Sequence, residues 1–515
     1  MIPSVRPATV AESGTGTKLG IAYRVGVSDL ARHLYDVQID VDGIRDDDLS
    51  LQMPVWSPGR YEPFFFARNV SELAMSSGST ALAPDRLNGS LWRVRLNGAS
   101  HLTVRYRVYA NSLSGTFSVI DSAHANWNGA SLFMYVVGHK ADPVSLHIDR
   151  PAGWHVVNGD TRRVDQSDFR FENYDRLVDT PTEVAPAFML DSFVVDGRTY
   201  RTMLHHNGAV APATRQRFVS DVERIVRYEN TVFDPPPLQT YTFLFNLGFH
   251  GGDGMEHLYS TQIMSPTKLV DDAQVLAGIS TAAHEYFHVW NMKRVRAAAL
   301  GPFDYAHEVY QPSLWVGEGW TQYYGMMALP RSGVQPAQAI YDAAATLIRA
   351  NLTTPGRREV SPRMASFLAP FWDGPTPVGM DVNRNAYFTY YASGAGRALY
   401  LDLFIREHTG NARSLDDAFR LLRDRTWNAP NASYYLQGRG YTEQDIERAV
   451  SDVAGVDMHQ WFERCVGGTD DVNFDEVLAP AGVRLIRDTW TIEPIANPTP
   501  AQRKVRDGWV SGKTG

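Results

Sequence analysis

Cysteine is almost absent: the 515 residues contain one, Cys465. No intramolecular disulfide can form, and no cysteine-based metal site can be built. The chain also lacks any apolar run near the ~18 residues that span a bilayer. It has no long run of like charge, no low-complexity tract and no obvious repeat at a period of ~20–50 residues. The net charge of −8 is spread along the chain, which argues against nucleic acid or a membrane as partner. No apolar stretch of the signal-peptide kind follows Met1. A cytoplasmic location is therefore expected, or a periplasmic one if a leader has been removed. What remains is ordinary globular composition, 44% hydrophobic and 21% charged, enough for two to four domains at roughly 150 residues each.

Hydrophobic periodicity divides the chain into a multidomain α+β arrangement. Residues 1–195 read as a β-sandwich. Tyr35, Val37, Ile39 and Val41 alternate with polar neighbours, as do Val104, Tyr106 and Val108, and period-two alternation marks half-buried strands. Turn signals such as Pro58-Gly59, Asn97-Gly98 and Asp196-Gly197 recur between them. Residues 196–330 begin with a helix near 213–230, then an apolar strand at 241–247 and a glycine-rich turn through Gly254. After Asp271 and Asp272 the spacing of Leu276, Ile279, Ala283, Tyr286, Phe287 and Trp290 turns helical. Residues 331–482 are mostly helical, with capping boxes at Ser414-x-x-Asp417 and Thr442-x-x-Asp445. Residues 483–515, with Pro498 and Pro500 and weak periodicity, read as a tail or an edge strand.

The chemistry-bearing segment is His284-Glu285-Tyr-Phe-His288. Histidines four apart share one helix face about 5–6 Å apart at Cβ, so both can bind one Zn²⁺ while Glu285 reaches a water beside it. The alternative is a helix carrying two histidines satisfied by the protein itself. Asn291 and Arg294 stand where a metzincin would have glycine and histidine. For a third ligand, Glu318 lies in the aromatic stretch Leu314-Trp-Val-Gly-Glu318-Gly-Trp, and a buried carboxylate needs a partner that a metal supplies. His307 and Glu308 are the other candidates, in what reads as a surface loop. Glu256, in Gly254-Met255-Glu256-His257, can hold a positive group or be a solvated loop residue. Tyr390-Tyr391 can be a core pair or a phenol donor near the metal. Asn291, Lys293, Arg294 and Thr321 either support the ligands or are polar helix ends.

Together these blocks resemble the glycyl aminopeptidases, gluzincin metallopeptidases related to the aminopeptidase N group. The resemblance extends through His284–Arg296 and Leu300–Tyr305, through Leu314–Tyr324, through Gly254–His257, and through Tyr390–Gly394. It also includes Met53-Pro-Val-Trp-Ser-Pro-Gly-Arg-Tyr61 near the N-terminus. It implies a thermolysin-like catalytic domain with one Zn²⁺ per chain on His284, His288 and Glu318. It further implies Glu285 as general base and Tyr391 as oxyanion donor. Glu256, with Gly254 and Met255, would bind the free N-terminus of a peptide, with glycine or alanine preferred there. The edge of the 241–247 strand is expected to pair with the substrate backbone. Asp253, Ser393 and Ala297 depart from the family pattern, and Asp253 is expected to reshape or charge the amine pocket. Residues 483–515 are too few for the PDZ-like domain that members often carry. An endopeptidase on the same scaffold, or an inactive binding protein, are the alternatives.

Overall fold

The computed structural model describes residues 18–159, 164–372, 389–430 and 437–515. Alternation builds the first region. In the strand Leu34–Asp42 the side chains of Tyr35, Val37, Ile39 and Val41 are all buried. This strand lies between Gly20–Asp29 and His101–Tyr109 in a seven-stranded sheet. Two four-stranded sheets complete this sheet-rich region, one containing Ala125–Trp127 and Thr182–Ala185, the other Asp48–Gln52 and Leu91–Arg95. They share an apolar core centred on residues such as Trp127, Phe133 and Tyr174.

A five-stranded sheet follows, in the order Met189–Val195, Arg198–His206, Thr240–Leu247, Ser260–Ser265, Asp253–Glu256. The three inner strands run parallel and each outer strand is antiparallel to its neighbour. Three sequence expectations change at this sheet. Asp196-Gly197 is the turn of a hairpin within it, so the boundary drawn after residue 195 cuts through that hairpin. A turn signal reports chain reversal, not which sheet the strands join. Thr240–Leu247, expected to offer an edge, is bonded on both sides and is almost wholly buried, which is why it reads as a continuous apolar run. The edges are instead Met189–Val195 and, on the side of the site, Asp253–Glu256, expected to be part of a turn.

The helix Asp272–Phe287 starts at Asp271, whose carboxylate accepts from the Gln274 amide at 2.9 Å and satisfies a helix N–H that has no partner within the helix. It packs beside Gly319–Arg331. A Cβ at Gly325 would stand 2.9 Å from the backbone nitrogen of His284, so the two helices approach as closely as they do only at glycine. Gly319 and Gly394 abut in the same way and bring Tyr390–His408 onto the pair.

The helices Ala339–Thr353, Leu415–Thr426 and Glu443–Ala454 pack into the same core, and both expected capping boxes are made. Residues 483–515 are not a loose tail. Val483–Ile486 pairs with Thr491–Pro494, and Pro500–Ser511 is a helix with a reciprocal Thr499–Gln502 cap. Its Trp509 is fully buried and packs on Tyr341. Thr-Pro-x-Gln was a readable start signal; the periodicity is weak because only Val505, Gly508 and Trp509 of this helix are buried. No described helix is long and apolar enough to cross a membrane.

Candidate active site

His284 and His288 lie one turn apart at the end of the Asp272–Phe287 helix. Their Nε2 atoms are 3.0 Å apart. Glu318 sits at the junction of Leu314–Gly317 and Gly319–Arg331. Its Oε2 is 3.4 Å from His284 Nε2 and 3.2 Å from His288 Nε2. Donors around a tetrahedral ion at ~2.0–2.1 Å are ~3.3–3.4 Å from one another, so these three atoms stand close to three corners of such a site. His307 and Glu308 are exposed and outside the triangle; His307 pairs with Asp304.

The triangle is held from outside. His288 Nδ1 donates to the Asn291 carbonyl at 3.0 Å, which leaves Nε2 as the lone-pair atom. The Asn291 amide nitrogen is 2.9 Å from each of the Val316 and Gly317 carbonyls and the Thr321 hydroxyl. It thereby ties the histidine turn to the segment bearing Glu318. Tyr61 donates its hydroxyl to Glu318 Oε1. Burial opposes charge on Glu318, yet the two imidazoles outweigh it and hold the carboxyl well below its usual range. Burial also opposes charge on both rings. It prevails at His284, whose pKa is lowered, whereas Glu318 and Glu256 hold His288 up to about 9.

Glu285, Glu256 and His288 each present a ligand atom within 4.8 Å of the others. Of the three, Glu285 lines a cleft of about 310 Å³ whose walls also include Arg60, Gly254, His284, Gln322 and Tyr391. Burial pushes the Glu285 carboxyl well above the usual range. A side chain at Gly254 would collide with that carboxylate. Of the two tyrosines, Tyr390 is buried against Tyr61, while Tyr391 is half-buried, lines the cleft and has its ring centroid 6.1 Å from that of His284.

Sequence reasoning missed the wall supplied by the N-terminal region. Gly59 has φ of +91° and lies against Met255 and Glu256; a Cβ there would stand 2.8 Å from Glu256 Oε2. Next to it Arg60 forms an ion pair with Asp253, and Asp253 Oδ2 accepts from the Gly115 amide at 2.8 Å. The departure at Asp253 therefore does not leave an uncompensated charge; it joins the edge strand to the N-terminal region. Asp179 does the same past Glu256, accepting from Lys293 Nζ at 2.8 Å and the Leu258 amide at 2.9 Å, with His257 Nδ1 3.1 Å away. The Pro58-Gly59 turn was visible in the sequence, but nothing local showed where it docks.

Residues 22–186 match the family model of the peptidase M61 N-terminal domain, and residues 277–396 match that of the M61 glycyl aminopeptidase. The chain belongs to the M61 glycyl aminopeptidase family. As an M61 member it is a peptidase, a hydrolase of peptide bonds. An aminopeptidase N family protein from Idiomarina loihiensis is 26% identical, with a TM-score of 0.82 over 90% of this chain and 78% of its own. The M1 zinc metallopeptidase from Deinococcus radiodurans is 14% identical, with a TM-score of 0.51 over 88% of this chain and 95% of its own, and shares the fold. Comparison with curated proteins gives no match.

Proposed function

We propose that this M61 peptidase is a zinc-dependent aminopeptidase of thermolysin-like design that removes small N-terminal residues, glycine or alanine. The observation that carries the reading is the convergence of His284 Nε2, His288 Nε2 and a Glu318 oxygen, mutually 3.0–3.4 Å apart, beside Glu285 and Glu256. Two imidazoles and a carboxylate suit zinc, and these three residues would hold it. Bound there, zinc supplies Lewis acidity and lowers the pKa of a water toward ~7.

Glu285 accepts the proton of the attacking water and returns it to the leaving amine. The Tyr391 hydroxyl donates to the oxyanion of the tetrahedral state. Glu256 pairs with the substrate ammonium, which limits cleavage to the first peptide bond. The Gly254–Glu256 backbone, on the sheet edge, pairs with the substrate main chain. Gly59 against Met255 and Glu256 narrows the space at the amine end, which supports a preference for small residues.

Hydrolysis of glycyl- and alanyl-p-nitroanilide, with and without chelator, tests the reading. Chelator-sensitive release is expected, with N-acetylated peptides of the same sequence left intact. Cleavage of acetylated peptides would instead make the enzyme an endopeptidase. Stoichiometric zinc without release from either substrate would rule out this peptidase mechanism.

A further inference from the structure

A second buried cluster repeats the donor chemistry of the cleft. His124, preceding the strand Ala125–Trp127, and Glu183, in Thr182–Ala185, belong to the N-terminal region. His205, in Arg198–His206, and Asn246, in Thr240–Leu247, belong to the five-stranded sheet. Glu183 Oε1 is 2.8 Å from His124 Nδ1 and 3.0 Å from His205 Nδ1. Asn246 Oδ1 lies 3.1 Å from the same His205 nitrogen. Glu183 and Asn246 are fully buried, His124 is 1% exposed and His205 is 9% exposed.

We propose that His124, Glu183, His205 and the Asn246 amide oxygen form a second divalent-cation site, structural in kind and suited to zinc. The two imidazole nitrogens and the Glu183 oxygen lie within 4.8 Å of one another, and the Asn246 oxygen, whose amide nitrogen donates to Glu183 Oε2 at 3.4 Å, would complete a tetrahedral set, whereas a catalytic site keeps one position open. The three separations, 2.8, 3.0 and 3.1 Å, are those of hydrogen bonds and shorter by roughly 0.2–0.6 Å than the ~3.3–3.4 Å edges of such a set, so the donors would spread slightly around an ion. The Glu183 carboxylate is already oriented. Asn126 Nδ2 donates to its Oε2 at 2.8 Å, which turns Oε1 toward the imidazoles, and Gln262 Nε2 fixes Asn126 through its Oδ1 at 2.8 Å. Such outer partners are what hold a ligand in a binding pose. Phe249 packs on both rings, 5.3 Å from His124 and 5.1 Å from His205 between centroids, and covers the cluster. Binding would displace the protons through which the imidazoles bond Glu183.

The ion would cross-link the N-terminal region to the central sheet. Gln262 faces Met255 across the strand pair, so the cross-link would adjoin the strand that bears Glu256. The site is a stability device distinct from the catalytic triangle.

Zinc content per chain, after chelation and reloading, tests it on wild type, Glu318→Ala, and Glu318→Ala combined with His205→Ala. Two, one and no equivalents are expected. One equivalent in wild type and none in Glu318→Ala would overturn the proposal. If Glu318→Ala keeps the full wild-type content, the active-site ligand assignment fails. The second site then stands only if His205→Ala by itself loses one equivalent. Because His205→Ala can fail to fold, cobalt titration of Glu318→Ala is the second measurement. A visible tetrahedral absorption band saturating at one equivalent, with a rise in Tm, is expected; no band and no rise would overturn the proposal.

Discussion

Glu285 occupies its place because residue 254 has no side chain, and its carboxylate fills the room that leaves. Glu285→Gln keeps the shape and removes the proton acceptor, so kcat should fall about 10²–10⁴-fold while zinc content stays constant. Steady-state kinetics beside metal analysis checks this; near-normal turnover would remove Glu285 as the base. Tyr391→Phe should lower kcat roughly 10²–10³-fold with little change in KM, if the phenol acts on the transition state. The histidine pair was legible from spacing because residues four apart on a helix share a face. The hydrogen bond from Tyr61 to Glu318, 257 residues away, has no local signature.

At the scale of elements, the site depends on how closely two helices approach. Gly325→Ala would put a methyl 2.9 Å from the His284 backbone nitrogen, an atom that moves only with its helix. Overpacking of this kind costs about 1–3 kcal/mol. A lower Tm and weaker zinc retention in chelator competition are the expected results; a variant unchanged in both would show that the helices can part without disturbing the ligands. Strands and caps were readable because alternation, Ser-x-x-Asp and Thr-x-x-Asp are local patterns. That Asp253–Glu256 is the sheet edge, and Thr240–Leu247 is not, depends on strand order, which no local pattern encodes.

For the whole molecule, the N-terminal region is a wall of the cleft, and Asp179 is one of its anchors. Burial opposes ionisation of Asp179, but Lys293, His257 and Arg176 outweigh it and hold the carboxyl below its ordinary value of 3.8. A carboxyl depressed in the folded state stabilises the protein in full above its unfolded pKa, and that contribution is lost as pH falls below it. Wild type should therefore lose stability on acidification from about pH 5 toward pH 3. Asp179→Asn should be less stable than wild type at pH 6, and the gap should narrow at pH 3. Denaturant unfolding at both values measures this; a gap that stays constant would mean that Asp179 is not held in its charged form by these partners.

The chemistry on offer was legible along the chain: two histidines on one helix face, Glu285 between them, a second carboxylate, Glu318, in an aromatic stretch, and a single cysteine. It also determined most individual elements, since periodicity and caps act within a few residues. What surrounds them came from the tertiary structure: Gly59 against Met255 and Glu256, Tyr61 on Glu318, Asp253 neutralised by Arg60, the sheet edge at Asp253–Glu256, and the ordered hairpin and helix after residue 482. These depend on contacts between residues far apart in the chain, whose free energy comes from burial and charge pairing once the regions meet.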